Sequence, residues 1–130
     1  MVNTTPRPIR AVLFPTDPAE RVRTISVDGS TVGLCDALDA WSLDHILLPG
    51  LPRTTLVRDA SGKAHQGAPN PRATQFVERY VRGFSRNGSI MGAALLVGSA
   101  DHDWTNISPA AEQAALTEPS HHRLGVARRS

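Results

Sequence analysis

The pair Asn70-Pro71, followed by apolar residues at 73, 76, 77, 80, 81 and 84, constrains this chain more than any other stretch. Asparagine caps a helix through its side-chain oxygen. Proline fits the first helical position because the N–H it lacks would go unbonded there anyway. The apolar positions recur at helical spacing. A helix is therefore expected over about residues 71–85, closed by Asn87-Gly88, either of which tolerates the left-handed backbone of a helix end. Its other side carries Arg72, Arg79, Arg82 and Arg86, which fall within roughly 80° of circumference at about 100° per residue. The segment specifies a docked helix with a basic edge. It specifies no reaction.

Around this helix the pattern is mostly strand. Ile9 to Phe14 reads as a first strand stopped by Pro15-Thr16-Asp17-Pro18, and Arg21 to Val27 alternates with one slip of phase. The two make a hairpin around a Pro-rich turn. Asp28-Gly29-Ser30 turns into a short helix with Val32, Cys35 and Leu38 at three-residue steps. Asp44 to Leu48 and Thr54 to Arg58 read as strands, and Lys63 to Gln66 as a return strand after the Asp59–Gly62 turn. Ile90 to Val97 is the most apolar run and is expected to be a central strand buried on both faces. Asp101 to Asn106 reads as a polar loop, after which Ser108 and Pro109 start a last helix. This order predicts an α+β fold: a single domain with a small, mostly antiparallel sheet and two to three helices packed against it. The expected boundaries are a disordered leader at 1–8, the domain at 9–118 and a flexible basic tail at 119–130.

Charge and cysteine content exclude several classes. Thirteen arginines stand against one lysine, Lys63, a ratio that a GC-rich genome produces without any phosphate recognition. The net charge is +2, but residues 121–130 hold three arginines and no acid, which leaves the other 120 residues at −1. A high isoelectric point located in a tail does not imply a domain-wide affinity for nucleic acid. Cys35 is the only cysteine. It excludes an internal disulfide and a cysteine-based zinc cage, and it reads as a buried small apolar residue between Leu34 and Leu38. The chain opens without the apolar segment of a signal peptide, and its longest apolar run is too short to span a bilayer, so the expected location is the cytoplasm.

Three constellations carry possible chemistry. Arg72, Arg79, Arg82 and Arg86, with Asn70 at the helix start, could contact phosphates or an acidic partner. Against this, Arg72 sits at the dipole's unfavourable end, and Phe76, Tyr80 and Phe84 all lie on the core face, leaving no solvent-facing stacking platform. Asp101-His102-Asp103 is a weak candidate for a divalent cation, two carboxylates flanking an imidazole without a second ligand cluster. Trp41, Trp104 and Leu51 are partner-contact candidates, since tryptophan anchors interfaces and Leu51 lies between prolines. No serine sits in a Gly-x-Ser-x-Gly elbow, and Gly62-Lys63 lacks the remainder of a phosphate loop. No catalytic residue and no cofactor is expected.

Asn70-Pro71-Arg72-Ala73-Thr74 follows a Gly-rich loop, and Ile90-Met91-Gly92-Ala93-Ala94-Leu95-Leu96-Val97-Gly98 precedes a polar loop and a terminal helix. With the opening strand from Ile9 to Pro15, these stretches resemble a family of short proteins, the domain of unknown function 3846, found in phages, plasmids and actinobacterial genomes. The resemblance covers mainly the C-terminal two thirds. It supplies no reaction and no catalytic residues. It implies a setting in mobile elements, whose small proteins often bind host or defence components.

The leading expectation is a small cytoplasmic protein without catalysis of its own, acting by contact with a host or defence macromolecule, a protein before a nucleic acid. The alternatives are phosphate recognition, of nucleic acid or a nucleotide, through the arginines, and a metal-assisted hydrolase built on Asp101, His102 and Asp103. An edge strand of a small sheet could also pair with a second copy, giving a homodimer.

Overall fold

Two hairpins are separate in sequence and are joined by a strand that arrives much later. The computed structural model describes residues 7–60 and 68–117. Strands β1 (Pro8–Phe14) and β2 (Arg23–Asp28) form the first antiparallel hairpin. Strands β3 (Leu43–Leu47) and β4 (Thr54–Asp59) form the second. Helix α1 (Thr31–Leu38) lies between them in the chain, capped by the Ser30 hydroxyl, which accepts from the Gly33 N–H. Strand β5 (Ala94–Ala100) then inserts antiparallel between β1 and β4, giving the order β2-β1-β5-β4-β3. Helices α2 (Pro71–Glu78) and α3 (Pro109–Leu116) and a 3-10 turn at Phe84–Asn87 complete the fold. With the short strand β6 (Asp103–Thr105), this is an α+β domain with a six-stranded antiparallel sheet.

Alternation along β5 divides the core in two. Ala94 and Leu96 face a cluster with Phe14, Phe76, Val77 and Ala111, roofed by α2 and α3. Leu95 and Val97 face Leu34, Leu38 and Val57 on the α1 side. Phe76 is fully buried, with its ring centroid 5.3 Å from Phe14 and 5.2 Å from Tyr80. Burying a side chain of this size contributes roughly 1.5–3 kcal/mol, so the few aromatics are concentrated where one helix meets the sheet.

Several expectations are corrected. Helix α2 ends at Glu78, not near 85. The Glu78 carboxylate accepts the N–H groups of Gly83 and Ser85, each at 2.7 Å, and folds the chain back instead of letting it continue. Gly83 takes a left-handed φ of 81°, which ends any helical path. The central strand starts at Ala94, because Ile90 is drawn to the start of α2: its N–H donates to Thr74 Oγ1 and its carbonyl accepts from the Asn70 N–H. Strand β1 begins at Pro8, paired with Asp28, one residue before the expected Ile9. The inward face of α1 is Leu34 and Leu38. Val32 is exposed and Cys35 is half-buried, not buried. The expected strand Lys63 to Gln66, the rest of the leader and the basic tail lie outside the described residues.

The polar loop expected at 101–106 is instead a hairpin. Asp101 and His102 take φ of 50° and 71°, the two left-handed residues of a tight turn, and β6 returns along β5. Strand β1 pairs with β5 only over Ala94–Leu96, and β6 takes the same flank over Gly98–Ala100. The segment after β6 runs on against β1: Asn106 Oδ1 accepts from the Arg10 N–H at 2.7 Å, and the Ile107 N–H donates to the Arg10 carbonyl at 2.9 Å. Gly98 makes room for this wedge. A Cβ there would collide with the Asn106 carbonyl and the Thr105 hydroxyl. Gly98→Ala is therefore expected to lower unfolding stability by about 1–3 kcal/mol in urea titrations, the usual cost of overpacking against backbone.

Candidate binding surface

The basic edge does not survive as a row. Arg72 is buried, and its guanidinium donates to the carbonyls of Glu20 at 2.7 Å and of Pro15 and Asp17 at 2.9 Å. Burial pushes its pKa down, and the nearby Asp17 and Glu20 act the other way. The group stays charged, since arginine does not deprotonate in proteins. Its role is to hold the Pro15–Glu20 turn against the first turn of α2. Asn70 is likewise internal. Its Nδ2 donates to the carbonyls of Phe14 at 2.9 Å and Gly92 at 3.0 Å, and its Oδ1 accepts from the Ala73 N–H.

Arg79, Arg82 and Arg86 remain exposed. Arg79 lies 5.9 Å and 5.7 Å from the Phe76 and Tyr80 ring centroids. Arg82 and Arg86 follow the end of α2, so they belong to the fold-back and the 3-10 turn, not to one helical face. Glu78 stands among them. The backbone and hydroxyl of Ser85, then the Gly83 N–H, hold its carboxyl below the usual glutamate value, and Arg86 adds a smaller effect.

The Asp101-His102-Asp103 turn opens beside a cleft of about 290 Å³ whose lining includes Arg7, Asp28, Ser30 and Trp104. The polar groups there mostly satisfy one another. Asp28 accepts from the Ser30 hydroxyl at 2.8 Å and the Arg7 N–H at 3.2 Å, which lowers its pKa, the Ser30 bond contributing most. The Arg7 guanidinium donates to the Trp104 carbonyl at 3.3 Å and lies 4.0 Å from Asp103. Arg7 thus braces the turn against the start of α1. Among the described residues no group of three or more His, Cys, Asp or Glu is placed to hold a metal ion.

The partner-contact candidates separate clearly. Leu51 is half-buried against the α2-side cluster. Trp104 is half-buried, its ring 5.3 Å from the His45 ring in an edge-on pair. Trp41 is 79% exposed and stands just before β3. Leu47, which sequence reading missed, is 71% exposed at the far end of the same strand. Strand β3 is an edge of the sheet. The Ala60 N–H donates to the Ser42 carbonyl, and the Leu48 N–H to the Thr54 carbonyl. With the register of Asp44 on Arg58 and Ile46 on Leu56, even-numbered residues exchange bonds with β4. Odd-numbered Leu43, His45 and Leu47 therefore turn their N–H and C=O groups outward. Among the described residues no strand pairs with that side.

No known family matches the chain, and no curated protein does. Among solved structures it is similar to the crystal structure of small RNA methyltransferase HEN1, with a TM-score of 0.57 and 15% identity over 86% of this chain. The chain spans 16% of that protein's length. At this identity the likeness shows the fold alone. Among the described residues no helix is long and apolar enough to cross a membrane.

Two outcomes follow from the internal roles. Arg72→Lys is expected to destabilise the fold by about 2 kcal/mol in denaturant titrations, because an ammonium cannot present a fixed fork to three carbonyls. For Glu78, the native pKa lies below the ordinary glutamate value. Its contribution is therefore fully present above the unfolded pKa and is lost as pH falls through the lowered native value. The difference in midpoint between wild type and Glu78→Gln should be largest near neutrality and shrink on acidification below the unfolded value.

Proposed function

We propose that this protein is a non-catalytic binding module that captures an extended segment of a protein partner along the open edge of β3. The observation that carries this reading is the outward row of main-chain groups on Leu43, His45 and Leu47, flanked by exposed Trp41 and Leu47. Main-chain bonds to a sheet edge supply affinity, and side chains on alternate positions supply selectivity. Asp44 is the strand's only carboxylate, and Arg58 holds it at 3.1 Å. The edge therefore lacks the lysine, proline or bulge with which sheets usually discourage added strands.

The phosphate reading is weaker. Two of its five residues, Asn70 and Arg72, are engaged internally. The RNA substrate in the name of the similar solved structure belongs to that protein. Arg79, Arg82 and Arg86 would have to carry the affinity without a stacking platform, and binding would fall steeply with salt.

The test is selection from a randomised linear-peptide library, with His45→Pro as the control. Proline at 45 removes an outward N–H and no bond to β4, so the sheet stays paired. Wild type should enrich extended peptides that protect the amides of Leu43, His45 and Leu47 from exchange. His45→Pro should weaken their binding by at least about tenfold, as main-chain bonds at the centre of the added strand are lost. Enriched peptides that bind both proteins equally would remove the edge from consideration.

A further inference from the structure

We infer that the strand received by β3 is β3 of a second copy of this chain, giving a twofold dimer with one continuous antiparallel sheet. The inference rests on the edge reading above and names its partner. A twofold axis beside His45 sets Leu43 opposite Leu47 of the second copy and His45 opposite its own equivalent. Asp44 then faces Ile46, so no like-charged side chains meet, and the Asp44 charge is already held by Arg58. The two exposed apolar side chains also distinguish this arrangement from others. Trp41 stands two residues before β3 and Leu47 at its far end, each more than two thirds exposed. Both are odd-numbered, and the ladder to β4 continues as far as Ser42, next to Trp41. Antiparallel pairing about His45 brings each Trp41 diagonally beside Leu47 of the other copy, within reach of an aromatic side chain, and does so twice. A parallel pairing would leave both ends uncovered. The opposite edge of the sheet fits a second copy less well: β2 begins and ends on the charged residues Arg23 and Asp28, and Thr24 is bonded to Glu112.

Sedimentation equilibrium across the micromolar range tests this. Wild type is expected to dimerise. His45→Asp and His45→Lys each place like charges on the axis and should shift the protein to monomer, while an equimolar mixture should recover a dimer containing one of each. A second measurement is independent of those variants. In a Cys35→Ser background, His45→Cys should form a disulfide dimer on oxidation, since residues exchanging main-chain bonds across an antiparallel pair lie within disulfide range. Asp44→Cys, on the other face and opposite Ile46, should not. A wild type that stays monomeric throughout, or single charge variants that dimerise like wild type, would overturn self-pairing. If wild type is monomeric while selected peptides still bind it and not His45→Pro, self-pairing fails and the edge reading stands. If His45→Pro also changes nothing, both fail.

Discussion

The buried amide of Asn70 is the joint on which the architecture depends. One side chain caps α2, bonds the last carbonyl of β1 and bonds Gly92 at the approach to β5. Its main chain continues the joint, because the Asn70 N–H reaches Ile90 and its carbonyl accepts from the Thr74 hydroxyl, which in turn accepts from the Ile90 N–H. A helix start, a strand end and a strand entry therefore share one satisfied polar cluster inside an aliphatic core. Left unpaired, such groups would each cost about 1–3 kcal/mol, so the cluster fixes a single arrangement rather than merely adding attraction. Arg72 extends the same device outward to the Pro15–Glu20 turn.

This joint recasts the most conspicuous sequence signal. Asn70-Pro71-Arg72-Ala73-Thr74 reads as the opening of a helix with a basic edge, and the opening is where the sequence places it. Its polar side chains point inward because they have carbonyls to satisfy there, a fact of tertiary structure that no local spacing encodes. The arginines further along separate for a similar reason. Glu78 gathers the N–H groups of Gly83 and Ser85, so residues 79–86 leave the helix that their periodicity suggested.

Patterning made the strands legible: the first hairpin, the two strands of the second and the apolar β5 were readable, as were the caps Asn70 and Ser108, but β4 was expected to pair with Lys63 to Gln66 and pairs with β3. What was not readable was strand order. Leu43-Asp44-His45-Ile46-Leu47 alternates like any half-buried strand, and nothing local says that its outer side lacks a neighbour among the described residues. That follows only when β5 arrives on the other side of β4. Trp41 illustrates the same limit. Its residue type marks it as a contact candidate, and only the fold shows that it stands exposed just before the edge strand β3. The β6 turn was hidden for a different reason: Asp101-His102 is polar enough to read as loop, and its left-handed pair emerges only with the hairpin.

The late arrival of β5 has a consequence for how the chain acquires its shape. Val12 meets Leu96 and Leu56 meets Leu96, so both hairpins find their shared neighbour only after most of the chain has been made. Contacts of such long sequence separation must meet their loop-closure entropy before packing rewards it, which slows folding. Until that strand zips between them, the hairpins expose the apolar faces they will later bury. During synthesis the chain is thus a pair of unsatisfied half-sheets, held apart by the order of its own elements and open to association with each other or with a neighbouring chain.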